Sequence, residues 1–515
     1  MRGHPITRAI LVLHRYLGVA VGLLMTIWCL SGFVMMYQAY PTLTNEERLS
    51  GLEPLNLAAC CDVSKIRLSD DKPISAFRVE MMGPDPVLRL SPERTRGAQA
   101  ERRGRGGGEA YNLRTGERVQ ALTDAQVFDI ARGHAVNTGI AGQPRSLGVV
   151  DTDQWTIQTA RRNKPVHHFR FDDPKATEIY VSGSSGEVFQ QTTRRERVLA
   201  WLGVIPHWIY PTVLRENGPL WTQVVIWTSV VGTFLTATGL YVGISRFKKR
   251  KNGRWSPFRG WWYWHHMIGL VFGVLTLTWV FSGLMTMNPW GLLEGARSPV
   301  SRQFVSTASW GEVRAFLAAA PAAELPGDLR QLKATPFGDR LFISAIDADG
   351  EAVRLDAAGR RAPLREAEVA RLVHGLGVPV AEFALMTRED EYHYSHHRQV
   401  ELPVYRAILG DADRTRLYIS ARDGNLIRAM GPEARQSRWV RNGLHGLDFA
   451  VLRSRPLWYV AVGLLLAGVT AVCITGFWMS LQRVGRDASS ARSWLGRLVR
   501  SRPAAGTAGK PSPTA

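Results

Sequence analysis

Apolar residues in this 515-residue chain are gathered into blocks rather than spread along it. Four windows hold most of them: Ile10–Met36, Leu220–Ile244, Met267–Met287 and Leu457–Met479. Each supplies the ~20 predominantly apolar residues needed to cross a ~30 Å hydrocarbon core. Their ionisable residues fall near the ends, where charge costs least. The pattern predicts four membrane helices, in 1–39, 220–244, 264–288 and 457–481. Two long polar stretches, 40–219 and 289–456, are each large enough to fold; a short loop at 245–263 and a tail at 482–515, expected to be disordered, complete the chain. The first window is longer than a signal-peptide core and lacks a small-x-small site after it, so it is read as a retained helix.

The windows repeat. Aligned without a gap, the first and third match His14 with His265, Gly18 with Gly269 and Gly22 with Gly273. Trp28 then meets Trp279, and Ser31-Gly32 meets Ser282-Gly283. Apolar agreement is cheap; agreement of His, Gly, Trp and Ser at fixed spacing is not. Ahead of the second and fourth windows, His207 matches His445 and Leu220-Trp221 matches Leu457-Trp458. Both of these windows end in Thr-Gly, at Thr238-Gly239 and Thr475-Gly476. The polar stretches echo each other too, with strand–turn–strand patterns from Phe169 and from Tyr405 and short helical patterns at Asp124–His134 and Glu366–His374. The unit is therefore helix, α+β outer domain, helix. Two copies in one orientation imply a pseudo-two-fold along the membrane normal.

Charge changes the picture less than its size suggests. The formal net charge of +20 invites a nucleic-acid reading, but the basic residues sit in short segments beside the windows. Arg246, Lys248, Lys249, Arg250, Lys251, Arg254 and Arg259 fill the loop between the second and third windows with no acid among them. The tail is similarly basic. Basic short loops mark the cytoplasmic side, so both termini are expected inside and both polar domains outside the inner membrane. Nucleic acid is not an expected partner; lipid is.

The repeat selects four of the thirteen histidines. His14 and His265 enter the membrane from the inner side, and His207 and His445 lie just beyond the outer helix ends. Topology thus sorts them by depth into two pairs, the arrangement two bis-histidine haems require, since neutral imidazole is a good iron ligand. Gly18 and Gly22 follow His14 at four-residue spacing, and Gly269 and Gly273 follow His265, so each set shares a helical face. Residues without side chains beside a ligand leave room for a flat macrocycle, although such glycines also serve close helix packing. His266 is turned ~100° from His265 and faces Arg15 in the other copy, which argues for an interfacial or propionate-contacting role.

Other residues carry weaker signals. His167, His168, His393, His396 and His397 in the polar stretches fit no closed zinc pattern. They read equally as substrate-proximal groups and as sheet residues. Cys29 and Cys473 read as packing residues. Cys60 and Cys61 are neighbours, which disfavours an unstrained bridge between them. Arg94–Gly108, rich in Arg and Gly, reads as a disordered loop.

The histidine-flanked first helix, the His…Leu-Trp segments before Thr-Gly, and the Tyr392–His397 stretch with Leu402–Arg406 and Thr415–Ser420 together resemble the PepSY-associated transmembrane family of bacteria. The resemblance covers nearly the whole chain except its C-terminal tail. It implies a four-helix inner-membrane core, two PepSY-like periplasmic domains and b-type haem, two copies by the pairing above. It also implies electron delivery to ferric iron in siderophores, and the family's haem-ligand role falls on His14, His207, His265 and His445. The Arg/Gly-rich loop and the Ser182–Val188 turn depart from the family pattern. The electron donor is expected to be a quinol or another reductant, because no nucleotide-binding glycine fingerprint opens a helix after a strand here. A receptor or assembly factor is one alternative. A siderophore or metal transporter is another, disfavoured by the lack of intramembrane carboxylates. Neither the siderophore nor the oligomeric state is legible.

Overall fold

The computed structural model describes residues 5–57, 60–90, 109–293, 300, 304, 306–322, 325–338, 340–395, 400–452 and 454–500. The Arg/Gly-rich loop Arg94–Gly108, and His396 and His397, lie outside these. The chain divides into two compact units, one of Met1–Phe33, Val224–Leu284 and Tyr459–Ala515, the other of Val34–Gln223 with Met285–Trp458.

The first unit is built on four long apolar helices, Pro5–Met35, Gly218–Arg246, Trp261–Thr286 and Arg455–Arg500. Each is long and apolar enough to cross a membrane. Leu23, Phe234, Val271 and Leu464 are each more than half exposed on the bundle surface, apolar area that water would penalise and lipid accepts. Threonine hydroxyls bond back to carbonyls of their own helices (Thr26 to Gly22, Thr236 to Gly232, Thr276 to Phe272), so these polar groups are satisfied internally. Small residues bring helices together: a Cβ at Gly18 would stand 3.3 Å from Ser480 Oγ, and one at Gly232 would stand 3.1 Å from Met25 Sδ. Cys29 and Cys473 touch across the first and fourth helices, Sγ to Sγ 3.6 Å, as packing residues should.

The fourth helix corrects one expectation. It runs on to Arg500 through residues expected to form a disordered tail. The membrane segment has already supplied the helix nucleus, residues 482–500 hold no proline, and Arg483 and Asp487 pair at i,i+4.

In the second unit, strands β1 (Phe77–Met82), β2 (Asp85–Leu90) and β3 (Ala110–Asn112) precede helix α1 (Asp124–Thr138). A meander of β4 (Arg145–Val150), β5 (Val166–Arg170), β6 (Glu178–Ser182) and β7 (Val188–Thr192) leads into α2 (Arg194–Leu202) and α3 (Val204–Trp208). The later stretch supplies α4 (Trp310–Ala319), β8 (Leu329–Ala334), β9 (Phe342–Asp347), β10 (Ala352–Asp356) and α5 (Glu366–His374). A second meander follows, β11 (Val380–Met386), β12 (Val404–Leu409), β13 (Arg416–Ser420) and β14 (Leu426–Met430), then α6 (Pro432–Arg438) and a π-helical turn, Trp439–His445. Val127, Ala131 and Ala135 of α1 pack on Phe169, Ile179 and Val181 of the first meander. Val369 and Val373 of α5 pack in the same way on Tyr405, Leu417 and Ile419 of the second.

The two stretches do not fold apart. β8 pairs antiparallel with β1, Gln331 opposite Glu80, so β10-β9-β8-β1-β2-β3 form one six-stranded sheet drawn from both. Trp310, Val313, Phe316 and Leu317 of α4 share its core with Phe77, Val79, Leu88, Leu332 and Ile343. At the seam Glu80, 1% exposed, accepts from Arg89 at 2.6 Å, Gln331 at 2.9 Å and Arg48 at 3.1 Å. Cys60 and Cys61 are disulfide-bonded across a cis peptide, a bridge that their adjacency disfavours.

Candidate cofactor site: two histidine pairs

His14 on the first membrane helix and His265 on the third face each other with ring centroids 6.4 Å apart and planes inclined at 32°. They line an open-mouthed cleft of the helix bundle. Gly18, Gly22, Gly269 and Gly273 line the same cleft, as do Arg15, His266 and Arg483. The glycines divide in use. A Cβ at Gly269 would meet nothing within 4 Å, whereas at Gly273 it would stand 2.6 Å from Leu240 Cδ2. Gly18 and Gly22 lie against Ser480 and Phe477 of the fourth helix. Cofactor room and close helix packing are both served by this stripe.

Behind each ring stands a Thr-Gly pair from the neighbouring even-numbered helix. A Cβ on Gly239 would come within 2.6 Å of His14 Cε1, and one on Gly476 within 3.0 Å of His265 Cε1. His265 Nδ1 lies 3.0 Å from Thr475 Oγ1. His14 Nδ1 lies 3.0 Å from the Leu235 carbonyl and 3.4 Å from Thr238 Oγ1. Both Thr-Gly pairs were visible in the sequence as matching helix ends; their task was not. The missed signal is that they recur wherever a helix faces a repeat-related histidine.

His266 is engaged through both nitrogens, Nδ1 with Ser256 Oγ and Nε2 with the Gly243 carbonyl, each at 2.9 Å. It therefore fastens the loop and second helix to the third.

The second pair has nearly the same spacing: His207, on α3, and His445, closing the π-helical turn, have ring centroids 6.2 Å apart with planes inclined at 58°. Two features recur at both. Two residues beyond each histidine a non-glycine residue is left-handed, Ile209 (φ 50°) and Leu447 (φ 49°). Such backbone costs about 1–3 kcal/mol and persists only where its surroundings impose it. One residue beyond each histidine a carbonyl accepts an indole N–H, Trp208 from Trp221 at 3.1 Å and Gly446 from Trp458 at 2.9 Å. The repeated Leu-Trp thus fastens each histidine turn to the start of the helix that follows. Trp458→Phe keeps the ring and removes the donor. Amide exchange at residues 445–449 is expected to quicken roughly two- to tenfold, as the loss of a bond worth about 0.5–1.5 kcal/mol implies. Hydrogen-exchange mass spectrometry reads this, and unchanged protection would remove the indole from the account.

The remaining outer histidines do something else. His168 stacks on Tyr180 at 4.3 Å and His393 on Tyr418 at 5.2 Å. Each tyrosine donates to an aspartate, Tyr180 to Asp153 at 2.6 Å and Tyr418 to Asp390 at 2.8 Å. Burial first, then the aspartate charge, raises both phenol pKa values. His167 is buried with Nδ1 3.6 Å from Asp124. Among the described residues no group of three or more His, Cys, Asp or Glu could hold a metal ion. His167 and His168 thus lie on β5 of the first meander, and His393 stacks on a tyrosine of the second.

A bundle of long apolar helices with a separate α+β unit defines a membrane protein. The sequence profile of the PepSY-associated TM region matches residues 11–483, and the chain belongs to that family. No curated protein matches it.

The fit of haem can be tested on distance. A metal–imidazole bond is about 2 Å and the ring centre lies about 1 Å behind the nitrogen, so an ion held between two imidazoles puts their centroids about 6 Å apart. Both pairs have that spacing. The apolar wall and the basic Arg15 and Arg483 of the inner cleft also suit an amphipathic, carboxylate-bearing macrocycle.

Proposed function

We propose that the protein is a di-haem b-type electron-transfer protein of the bacterial inner membrane, built from a duplicated helix–domain–helix unit with both termini cytoplasmic and its outer unit periplasmic. His14 with His265 and His207 with His445 are the axial ligands. The observation that carries this reading is that two repeat-related histidine pairs, of unrelated local structure, share one ring spacing of 6.2–6.4 Å. The matching meanders β4–β7 and β11–β14, each preceded by a helix and followed by a ligand histidine, support the duplication.

Haem, when bound, supplies a one-electron ferric/ferrous couple whose potential follows axial ligation and burial. The chain's own residues do the rest. The helix walls surround His14 and His265 with apolar groups, while Arg15 and Arg483 offer positive charge to carboxylates in the cleft. The acceptor proposed is ferric iron in a siderophore, following the family resemblance. Reduction weakens its hold by hard oxygen ligands. With a quinol donor the balance is one quinol and two ferric siderophores giving quinone, two protons, two ferrous ions and two iron-free siderophores.

The test is the absorption spectrum of the purified protein with haem quantified per chain. A b-type reduced-minus-oxidised difference at a ratio near two is expected; a colourless protein that takes up no added haem overturns the reading. For the acceptor, reduced protein is mixed with ferric siderophores under anaerobic conditions and ferrous iron is trapped with a chromogenic chelator. Reoxidation with stoichiometric Fe(II) release is expected, and none with hydroxamate, catecholate or carboxylate types would remove this acceptor class.

A further inference from the structure

Helix α2 starts at a capping box, in which Thr193 and Glu196 satisfy each other's backbone N–H groups, and it stops at Gly203. One side of it is committed to the protein. Ala200 is fully buried, and Arg197 reaches Glu178 at 3.3 Å, the Thr192 hydroxyl at 2.9 Å and the Ala176 carbonyl at 2.8 Å. The opposite side is exposed. Arg194, Arg195, Val198, Trp201 and Leu202 share one face at helical spacing, and each of the three apolar side chains is more than half exposed. Two cations at one end and large apolar groups at the other are the composition of an interfacial helix.

The surroundings identify what covers this face. Gly203, at the apolar end, lies against the first membrane helix: a Cβ there would stand 2.9 Å from Val34 Cγ1, one residue before that helix ends at Met35. Met35, and Trp221 of the second membrane helix, pack on the cluster that holds Val204, Ile205 and Tyr210. The apolar end of α2 is therefore level with the ends of two membrane helices, where exposed tryptophan belongs. Exposed apolar side chains continue along the chain through Val213 to Leu220, at the start of the second membrane helix. The matching segment of the second half lacks the stripe. Six residues before His445, as Trp201 is before His207, Trp439 packs between Phe449 at 6.2 Å and Tyr392 at 6.3 Å, and Gln436 stands in place of Val198. The shared fold does not demand an apolar face here; the first half alone has one.

We propose that the outward face of α2 is a lipid-docking surface. Val198, Trp201 and Leu202 enter the acyl boundary of the phospholipid leaflet at which the first membrane helix ends, and Arg194 and Arg195 meet headgroup phosphates. Residues 194 and 202 are ~12 Å apart along the helix axis, enough to run from headgroups into acyl chains. Helix α3 begins after a single glycine, so docking fixes His207 at the level of the membrane surface. None of the docking residues is a proposed ligand, and the surface stands whether or not haem binds.

Depth-resolved spin labelling of the full-length protein, in bilayers of phosphatidylethanolamine and phosphatidylglycerol, tests this. Nitroxides are placed by Arg194→Cys, Val198→Cys and Leu202→Cys, with Asp124→Cys, at the exposed start of α1, as the water reference. Cys29 and Cys473 are buried and Cys60 is bonded to Cys61, and labelled parent protein corrects for background. Oxygen concentrates among acyl chains and a nickel chelate in water. The oxygen-to-nickel accessibility ratio is expected to rise from Arg194 through Val198 to Leu202 and to exceed the Asp124 value at both apolar positions. A ratio at Val198 and Leu202 no higher than at Asp124 puts the face in water and overturns the proposal. Low accessibility to both reagents means that a second copy or another protein covers the face, and overturns it too. A further measurement needs no variant: parent protein in bilayers holding a lipid with an acyl-chain diazirine is illuminated, digested and mapped by mass spectrometry. Adducts are expected on Val198–Leu202 as well as on Gly218–Arg246; adducts on the membrane helix alone would equally refute docking.

Discussion

Replacing His265 with alanine is expected to lower the haem content of the purified protein from about two per chain to about one, because a bis-histidine site that loses one axial ligand loses half its coordination to the protein. The loss should be large because little else in the cleft can substitute. His266 is adjacent in sequence, but both of its nitrogens are occupied, by Ser256 and Gly243, and it would have to abandon two buried bonds to turn inward. His14→Ala should give the same result, and the His14→Ala/His265→Ala double variant no further loss, since both changes empty one site. His207→Ala should remove the other haem, and its effect should add to that of His265→Ala, as expected for sites that share no ligand. Haem per chain by the pyridine haemochrome method, with protein by amino-acid analysis, measures all of these. A ratio unchanged by His265→Ala, or abolished entirely by it, would refute two independent sites.

How much of this was legible in the sequence depends on what kind of contact carried it. The membrane helices were readable because lipid demands long apolar runs whatever lies around them. The candidate histidines were readable only because the chain contains its unit twice: His14 means little until Gly18, Gly22 and Trp28 reappear with His265. The same comparison exposed Thr475-Gly476 and Leu220-Trp221, yet not their tasks: Thr475 meets a histidine 210 positions away and Trp221 a carbonyl 13 positions away, and neither contact leaves a periodicity. Sheet partnership was hidden for a related reason. β1 and β8 have alternation that fits a pairing with any strand, so nothing local says that Gln331 lies opposite Glu80. The tail erred in the opposite sense, with charge taken as a sign of disorder where a pre-formed helix simply continued. His168 and His393 read equally as substrate-proximal groups and as sheet residues, and the tyrosine ring that covers one face of each is a contact no local pattern announces.

The seam between the two outer stretches is where the largest loss of stability is expected. Glu80→Ala should destabilise the outer unit by about 3–5 kcal/mol at neutral pH, the cost of breaking a buried ion pair by removing one partner. The reason lies in what remains: Arg89 and Arg48 would lose their shared carboxylate, and Gln331 its acceptor from across the seam. Arg78 keeps Glu187 at 2.6 Å, so the damage centres on Arg89 and Arg48. Glu80 also sets an acid limit. Burial alone would raise its pKa, but Arg89, Arg78 and Arg48 outweigh it and bring the carboxyl down to about 2, below its ordinary 4.5. A lowered folded-state pKa means that the stabilisation is complete above about pH 4.5 and is lost as pH falls from there towards 2. Glu80→Gln keeps the shape and cannot titrate. It should start less stable at pH 7 and show a flatter decline between pH 4.5 and 2, read as the pH dependence of hydrogen-exchange protection in strands Phe77–Met82 and Leu329–Ala334 of the full-length protein. Identical slopes for the two proteins would show that the acid sensitivity of the seam comes from another carboxylate, and near-parental stability of Glu80→Ala at neutral pH would show that the three arginines find water or other partners at little cost.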